Sequence, residues 1–420
     1  MRILYVFLAR LLAPLAFALV LWRGLKDRAY WERLGERFGF GDVRIAEPSL
    51  WVHAVSVGEV QASAALVRAL RARYPRIPLV LTTVTPTGAA QAKSLFGDTV
   101  YHSYAPYDLP GSVRRFFDRI RPRLAIILET ELWPTLFHEC GKRNVPLVLA
   151  SARISPRSVS RYRLLVGLFS QALSHGIVIA AQSESDAERF RSIGANPART
   201  YVTGNIKFDF VIPPPLDAEG RGLRAQYAGT RPVWIAGSTH PGEEDIVLDA
   251  HARVLASVPD ALLILVPRHP NRFEEAASNL KRRGLSFARR SRDRSTGATM
   301  QVLLVDTLGE LMTFYAASDV AFVGGSLVAV GGHNLLEPAA LGLPILTGPN
   351  TYNAEGIARL LLEVGAARTV RNAEDLAASV AVLLRDPEAR RRAGEQGRAT
   401  VEANRGALEK LLALVGPLVG

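Results

Sequence analysis

The sequence predicts an α/β protein of two doubly wound domains behind an apolar N-terminal segment. Three observations carry this. At 420 residues the chain is too long for one ordinary core and suits two domains. Short apolar runs alternate with helical patterns on both sides of Pro213-Pro214-Pro215. Ile3 to Trp22 is almost entirely apolar, broken by Arg10 and Pro14.

Composition narrows the class. Hydrophobic residues make up 48% of the chain, which sets a disordered chain aside. A single cysteine, Cys140, rules out an intramolecular disulfide and fits a reducing cytoplasm. The net charge of +12 favours anionic partners: nucleic acid, acidic lipid or phosphorylated substrates. Only six of the 51 basic residues are lysines, so Lys207 inside a motif stands out.

In chain order, residues 1–25 read as a membrane anchor. The run is long enough to span a bilayer, and the following Arg23, Lys26 and Arg28 place the bulk of the chain on the cytoplasmic face. Trp22-Arg23-Gly24-Leu25-Lys26 offers no small-residue cleavage site, which disfavours a signal peptide. Arg10 weakens the spanning case, so a helix lying in the interface stays open beside it.

Residues 45–212 read as the first domain. Strands are expected near Leu79–Thr83, Leu124–Leu128, Val145–Ala150 and Gly176–Ala181. Helices are expected near Pro86–Phe96, Gly111–Arg119, Leu132–Arg143, Ser158–Ser174 and Glu184–Ile193. Residues 213–230, opened by three prolines, read as a stiff linker. Residues 231–420 read as a second domain with strands near Val233–Ala236, Ala261–Val266, Gln301–Val305, Val320–Val323 and Pro344–Thr347, ending in a helical tail. Two such domains imply a ligand cleft between them.

The stretch Trp51-Val52-His53-Ala54-Val55-Ser56-Val57-Gly58-Glu59-Val60 opens as a strand and turns helical at Glu59. Glu59 thus stands at the carboxyl end of a strand, where open α/β sheets bind ligands. On position alone, an ordinary first-turn helix acid is the other reading. Glu129-Thr130-Glu131-Leu132-Trp133-Pro134 also follows a strand and presents two acids, and Lys207 in Gly204-Asn205-Ile206-Lys207-Phe208-Asp209 can lean into the cleft; a structural salt bridge is the other reading for each. In the second half, Gly237-Ser238-Thr239-His240-Pro241-Gly242-Glu243 reads either as an anion site at a helix start or as a plain capping turn. Arg268 after a strand suits a phosphate or carboxylate, or is a surface arginine. Gly324-Gly325-Ser326-Leu327 and Gly331-Gly332-His333-Asn334-Leu335-Leu336-Glu337 allow close backbone approach, with Asn334 and Glu337 three apart on one helix face and Glu337 available to ribose hydroxyls. Asp-x-Asp, zinc-type ligand spacing, a Gly-x-Ser-x-Gly elbow and a Walker A loop are all missing, which favours a metal-free transferase over a hydrolase or NTPase.

These motifs together resemble the 3-deoxy-D-manno-octulosonic acid (Kdo) transferases. The matching residues are Ser56-Val57-Gly58-Glu59, Glu129 to Pro134, Gly204-Asn205-Ile206-Lys207-Phe208-Asp209, Arg268-His269-Pro270 with Arg272, and Gly332-His333-Asn334-Leu335-Leu336-Glu337-Pro338. The resemblance covers nearly the whole chain. It implies a GT-B fold, CMP-Kdo as donor, and an inverting, metal-independent transfer to a tetraacylated, bisphosphorylated glucosamine disaccharide, without a cofactor. It places donor contacts on Arg268, His269, Gly325, Ser326, Asn334 and Glu337, with Lys207 nearby. Ser56 and Gly58 fall on the acceptor side. It places the catalytic base on Glu59, with Glu131 second; Glu129 and His53 are the other candidates, and His53 reads as a packed core residue. The implied partners are the lipid A precursor and the anionic inner membrane, not nucleic acid. Two other readings remain: another sugar-nucleotide enzyme such as an epimerase, which leaves Ile3–Trp22 unexplained, and a lipid-binding adaptor, which leaves the nucleotide-type loops unexplained.

Overall fold

A computed structural model of the chain describes residues 2–156, 158–159, 176–293 and 299–420. It divides into two units, Met1–Val211 with Asn404–Gly420, and Ile212–Ala403. Each is built on a seven-stranded sheet in which every pairing is parallel. The α/β, doubly wound class expected from the sequence is what the structure has.

The first sheet contains β1 (Ser49–His53), β2 (Leu79–Thr83), β3 (Tyr101–Tyr104), β4 (Pro122–Leu128), β5 (Leu147–Ala152), β6 (Val178–Ala181) and β7 (Thr200–Val202), in the order β3-β2-β1-β4-β5-β6-β7. All five residues of β1 are buried, because helices cover both faces of a parallel sheet. Trp51 points to one layer, edge-on to Phe116 and Phe117 at 5.0 and 5.8 Å. Leu50 and Val52 point to the other, with Leu66, Val67 and Leu70. The winding reverses between β1 and β4, which makes their carboxyl ends the place for a ligand.

The second sheet contains β8 (Val233–Thr239), β9 (Leu262–Pro267), β10 (Phe287–Arg289), β11 (Val302–Leu304), β12 (Val320–Val323), β13 (Ile345–Thr347) and β14 (Ala367–Thr369), in the order β10-β11-β9-β8-β12-β13-β14. Here the switch lies between β8 and β12.

Four strands escape the apolar-run reading: β3, β7, β10 and β14 are three or four residues long and lie at or beside sheet edges. Tyr101-His102-Ser103-Tyr104 is too polar to read as a buried run. The expected linker 213–230 is corrected as well. Only its prolines lead in; Leu216–Tyr227 is a helix whose Leu216, Gly220, Leu223 and Tyr227, four, three and four apart, are buried. Gly220 lets that helix approach Ala316, since a Cβ there would sit 2.6 Å from the Ala316 Cβ. The tail differs too. Helices Ala373–Arg385 and Pro387–Ala403 stay with the second unit, but Ala407–Val419 packs into the first. There Leu411, Val415 and Val419 complete the core layer of Leu50 and Val52. Asp209 fixes the return by accepting the N–H groups of Gly406 (2.6 Å) and Leu408 (2.7 Å). The expected helix Ser158–Ser174 and the end of the basic loop after Asp293 fall largely outside the described residues.

Candidate functional site

In the first unit, β1 ends at His53 and the helix Val57–Ala62 begins at once. Ser56 caps it with extended backbone, and its hydroxyl makes no capping bond. Instead the Glu59 carboxylate reaches back to accept the Val55 N–H at 2.8 Å, much as the acid of a capping box does. At Gly58 an added Cβ would meet nothing within 4 Å, so packing does not demand the glycine and the helix start is left bare.

Glu129 follows β4 with φ +57°, and Ser151, next to last in β5, has φ +49°. Two non-glycine residues in the left-handed region, each costing of order 1–3 kcal/mol, flank one pocket. That small, open pocket is lined by Glu59, Ala62, Leu128, Glu129, Ser151, Asn205, Ile206 and Lys207. Lys207 Nζ lies 2.6 Å from one Glu129 oxygen, and Arg153 Nε lies 3.0 Å from the other. Ser151 accepts the Ile206 N–H at 3.0 Å, and Asn205 accepts the Lys207 N–H at 3.0 Å. The loop after β7 is thus tied to the end of β5.

The two acids are driven apart. Burial, then the negative charges of Glu129 and Glu131, push the Glu59 carboxyl up to about 7, although the Val55 N–H and Lys207 pull the other way. Burial also pushes on Glu129, but Lys207 and Arg153 outweigh it and hold that carboxyl below its ordinary value. One carboxylate stays charged while its neighbour titrates near neutrality, the division of labour acid–base sites use.

Glu131 does not line this pocket. It accepts the Trp133 indole N–H at 2.5 Å, and burial raises its carboxyl. Trp133 lies edge-on to His53, 5.6 Å between ring centroids. His53 is fully buried against Thr82, and burial lowers its pKa to about 4, so it is neutral.

In the second unit, the carboxyl ends of β8, β9 and β12 gather His240, Arg268, His269 and the Gly324–Leu327 turn. His240 and His333 share a hydrogen bond between their Nε2 atoms at 2.7 Å, and His269 packs edge-on to His240. Burial, then His240 and Arg268, lower His333 to about 4. The Arg268 guanidinium makes no hydrogen bond or ion pair with any described residue, yet its charge reaches His240, His269, His333 and Glu337. Arg272, by contrast, is tied to Glu244 at 2.5 Å and to Glu275. Burial raises the Glu337 carboxyl, against the Asn334 amide that donates to it at 3.0 Å.

The Gly324–Leu327 turn needs a correction. Its N–H groups already have an anion. Glu243, with no exposed surface, accepts from Gly325 (2.7 Å), Ser326 (3.1 Å), Leu327 (2.9 Å) and His240 (3.3 Å). Ser326 is also fully buried, and its hydroxyl donates to the Val323 carbonyl and accepts from Gly348. Every polar group of Ser326 is spent inside the chain, so it shapes the turn and has nothing left for a donor. Lys207, grouped above with donor residues, stands in the first unit beside Glu59 and Glu129. Ser151 and Arg153 were not singled out in the sequence; their signal was their place at a strand's carboxyl end. Glu243 closed the loop expected to receive an anion, and nothing marked it as the group that accepts the N–H groups of the next turn. Among the described residues no group of three or more His, Cys, Asp or Glu is arranged to hold a metal ion.

Comparisons with known proteins agree with one another. The pattern of the 3-deoxy-D-manno-octulosonic-acid transferase (kdotransferase) family matches residues 32–210, and that of glycosyl transferases group 1 matches residues 286–400. The chain is 42% identical over 419 residues to the 3-deoxy-D-manno-octulosonic acid transferase of Haemophilus influenzae, covering 99% of this chain and 98% of that one. It is 38% identical over 425 residues to the same-named protein of Bordetella pertussis, covering 98% of each. Among solved structures it is similar to the UDP-GlcNAc 2-epimerase from Neisseria meningitidis bound to UDP-GlcNAc, with a TM-score of 0.56 and 13% identity over 88% of this chain and 100% of that one. That last likeness is one of fold alone.

Proposed function

The chain belongs to the 3-deoxy-D-manno-octulosonic acid transferase family, and from that premise we propose that it moves Kdo from CMP-Kdo to the tetraacylated, bisphosphorylated glucosamine disaccharide of the lipid A precursor. The transfer inverts the anomeric carbon and uses no metal. The observation that carries the reading is the pair of unlike carboxylates in the first unit: Glu59 poised near pH 7 beside a charge-paired Glu129.

Glu59 takes the proton from the attacking acceptor hydroxyl as the new bond to the anomeric carbon forms. The bond from that carbon to the CMP phosphate oxygen breaks in the same step, and its electron pair leaves with CMP. Arg268, uncommitted among the described residues, balances the phosphate and the donor carboxylate. A departing monophosphate carries less charge than a diphosphate, so arginine suffices where a diphosphate calls for a metal. Glu337 holds the ribose, and the bare Gly58 turn receives the acceptor. Lys207 and Arg153 keep Glu129 ionised, and Glu129 keeps the Glu59 carboxyl basic enough to work. The helix Arg2–Lys26 holds the enzyme on the cytoplasmic face of the inner membrane, where the lipid acceptor lies. Incubation with CMP-Kdo and the lipid acceptor tests the reading: CMP is released and the lipid gains the mass of Kdo. Release of CMP without a heavier lipid, or no turnover, refutes it.

A further inference from the structure

The helix Arg2–Lys26 is apolar and long enough over Ile3–Leu25 to cross a membrane. Its contacts say otherwise. Near its start, the Tyr5 hydroxyl donates to Asp108 at 2.7 Å. In its middle, Phe17 packs edge-on to Phe38 at 5.4 Å. Near its end, the Trp31 indole folds back, donating to the Leu21 carbonyl at 3.0 Å. That ring lies so close over Gly24 that a Cβ there would be 1.8 Å from Nε1. The less exposed positions are Tyr5, Val6, Ala9, Ala13, Phe17, Val20 and Gly24. They recur every three or four residues after Val6, which is one face of a helix. Beyond the turn Arg28–Trp31 that follows the helix, the first unit therefore touches it from Tyr5 to Phe17, about 18 Å at the helical rise.

That length is more than half of the hydrocarbon core, about 30 Å. A helix held to a folded domain along such a length cannot cross the bilayer unless the domain enters with it. The domain side carries a carboxylate: Asp108 also accepts the N–H groups of Thr135 (2.9 Å) and Leu136 (2.8 Å) at the first turn of helix Pro134–Lys142. The opposite face is apolar and exposed: Ile3 is 89% exposed, Phe7 63%, Leu11 62%, Leu15 67% and Trp22 54%. At about 100° per residue, Arg10 and Arg23 fall on the two flanks between these faces. Pro14 adds a second argument. It lies inside the helix and leaves the Arg10 carbonyl without its usual N–H. Headgroup water satisfies such a carbonyl, whereas hydrocarbon does not.

We propose that this helix is an in-plane anchor, with its Ile3–Phe7–Leu11–Leu15–Trp22 face sunk to the acyl boundary and Arg10 and Arg23 at the level of anionic headgroups. The net charge of +12 suits an anionic surface. The Tyr5–Asp108 bond then ties the bilayer surface to the helix that follows Glu129–Trp133, so the carboxyl edge of the first sheet sits at a fixed height above the lipid. The inference rests on the membrane association proposed above and adds its geometry.

The test uses the full chain with single cysteines at Ile3, Leu11, Leu15 or Leu25. The native Cys140 is buried, so a nitroxide label falls on the introduced thiol. Each labelled protein is bound to vesicles of phosphatidylethanolamine and phosphatidylglycerol, and depth is read from collisions with oxygen and a water-soluble nickel chelate. The in-plane anchor gives one shallow depth at all four positions. A spanning helix gives a gradient, with Leu11 and Leu15 near the midplane and Ile3 and Leu25 at opposite surfaces, and that result overturns the proposal. Spin–spin broadening between copies, meaning that a second chain covers the face, also overturns it. So do four water-exposed labels. Turnover with CMP-Kdo is measured on the unlabelled chain, so loss of the transferase reading is seen separately from loss of the in-plane geometry.

Discussion

Replacing Lys207 by methionine tests how the two acids are set apart. Lys207 lies 2.6 Å from Glu129, with side-chain exposures of 25% and 14%. Arg153 stays on the second oxygen at 3.0 Å, so Glu129 keeps one cation. Stripping a buried ion of its only partner costs about 3–5 kcal/mol; with Arg153 in place and water near, Lys207→Met should cost about 1–2 kcal/mol of stability. The larger consequence is for Glu59. Lys207 is the weakest of the influences on its carboxyl and acts downward, so its loss raises a carboxyl already near 7. The proposed base works unprotonated, so activity should fall as pH drops through its pKa, about tenfold per unit below it. In Lys207→Met the acid limb of kcat/KM should move to higher pH by roughly half a unit to one unit. Lys207→Arg, which keeps the charge, should leave it nearly in place. CMP release followed across the pH range reads the limb directly. An acid limb that stays put or moves down in Lys207→Met refutes the electrostatic pairing.

Other outcomes are equally specific. Arg268→Ala should weaken CMP-Kdo binding by about 1.5–3 kcal/mol, measured by calorimetry; unchanged affinity removes Arg268 from the donor site. Glu337→Ala should weaken CMP itself, and equal CMP affinity sinks the ribose assignment. Turnover should survive EDTA, and a full loss restored by magnesium rejects the metal-free mechanism. Glu243→Ala strands four backbone N–H groups that its carboxylate holds. At about 1–3 kcal/mol for each buried group left unpaired, the urea midpoint should drop sharply, and less in Glu243→Gln, which keeps one acceptor oxygen. An unchanged midpoint in Glu243→Ala contradicts the anchoring role.

The sheet-building pattern was legible because buried parallel strands are continuous apolar runs, as in Leu124–Leu128 and Val320–Val323. The short polar β3 and the edge strands lacked that signal, and three prolines masked the amphipathic helix Leu216–Tyr227 behind them. The place of Glu59 at a strand-to-helix junction was legible because the apolar pattern changes period there. Its partners could not. Lys207 is 78 residues from Glu129 in sequence, and only the packing of β4 beside β5, β6 and β7 brings them together. The glycines of Gly324–Leu327 signalled a tight turn, as Gly325 at φ +70° confirms, but not that an internal carboxylate already fills it. Likewise Tyr5 gave no hint of Asp108, 103 residues on. Local chemistry is written in local sequence; charge pairing across a sheet is written only in its strand order.

The central claim is that Glu59 is the base for Kdo transfer, and one measurement reaches it most directly. Glu59→Gln keeps the shape and an oxygen to accept the Val55 N–H, but cannot take the proton. Turnover of CMP-Kdo and lipid acceptor by this variant should fall by about 10²–10⁴-fold, with CMP affinity and the thermal midpoint nearly unchanged. Near-normal turnover by Glu59→Gln would contradict the account and move the base to Glu131.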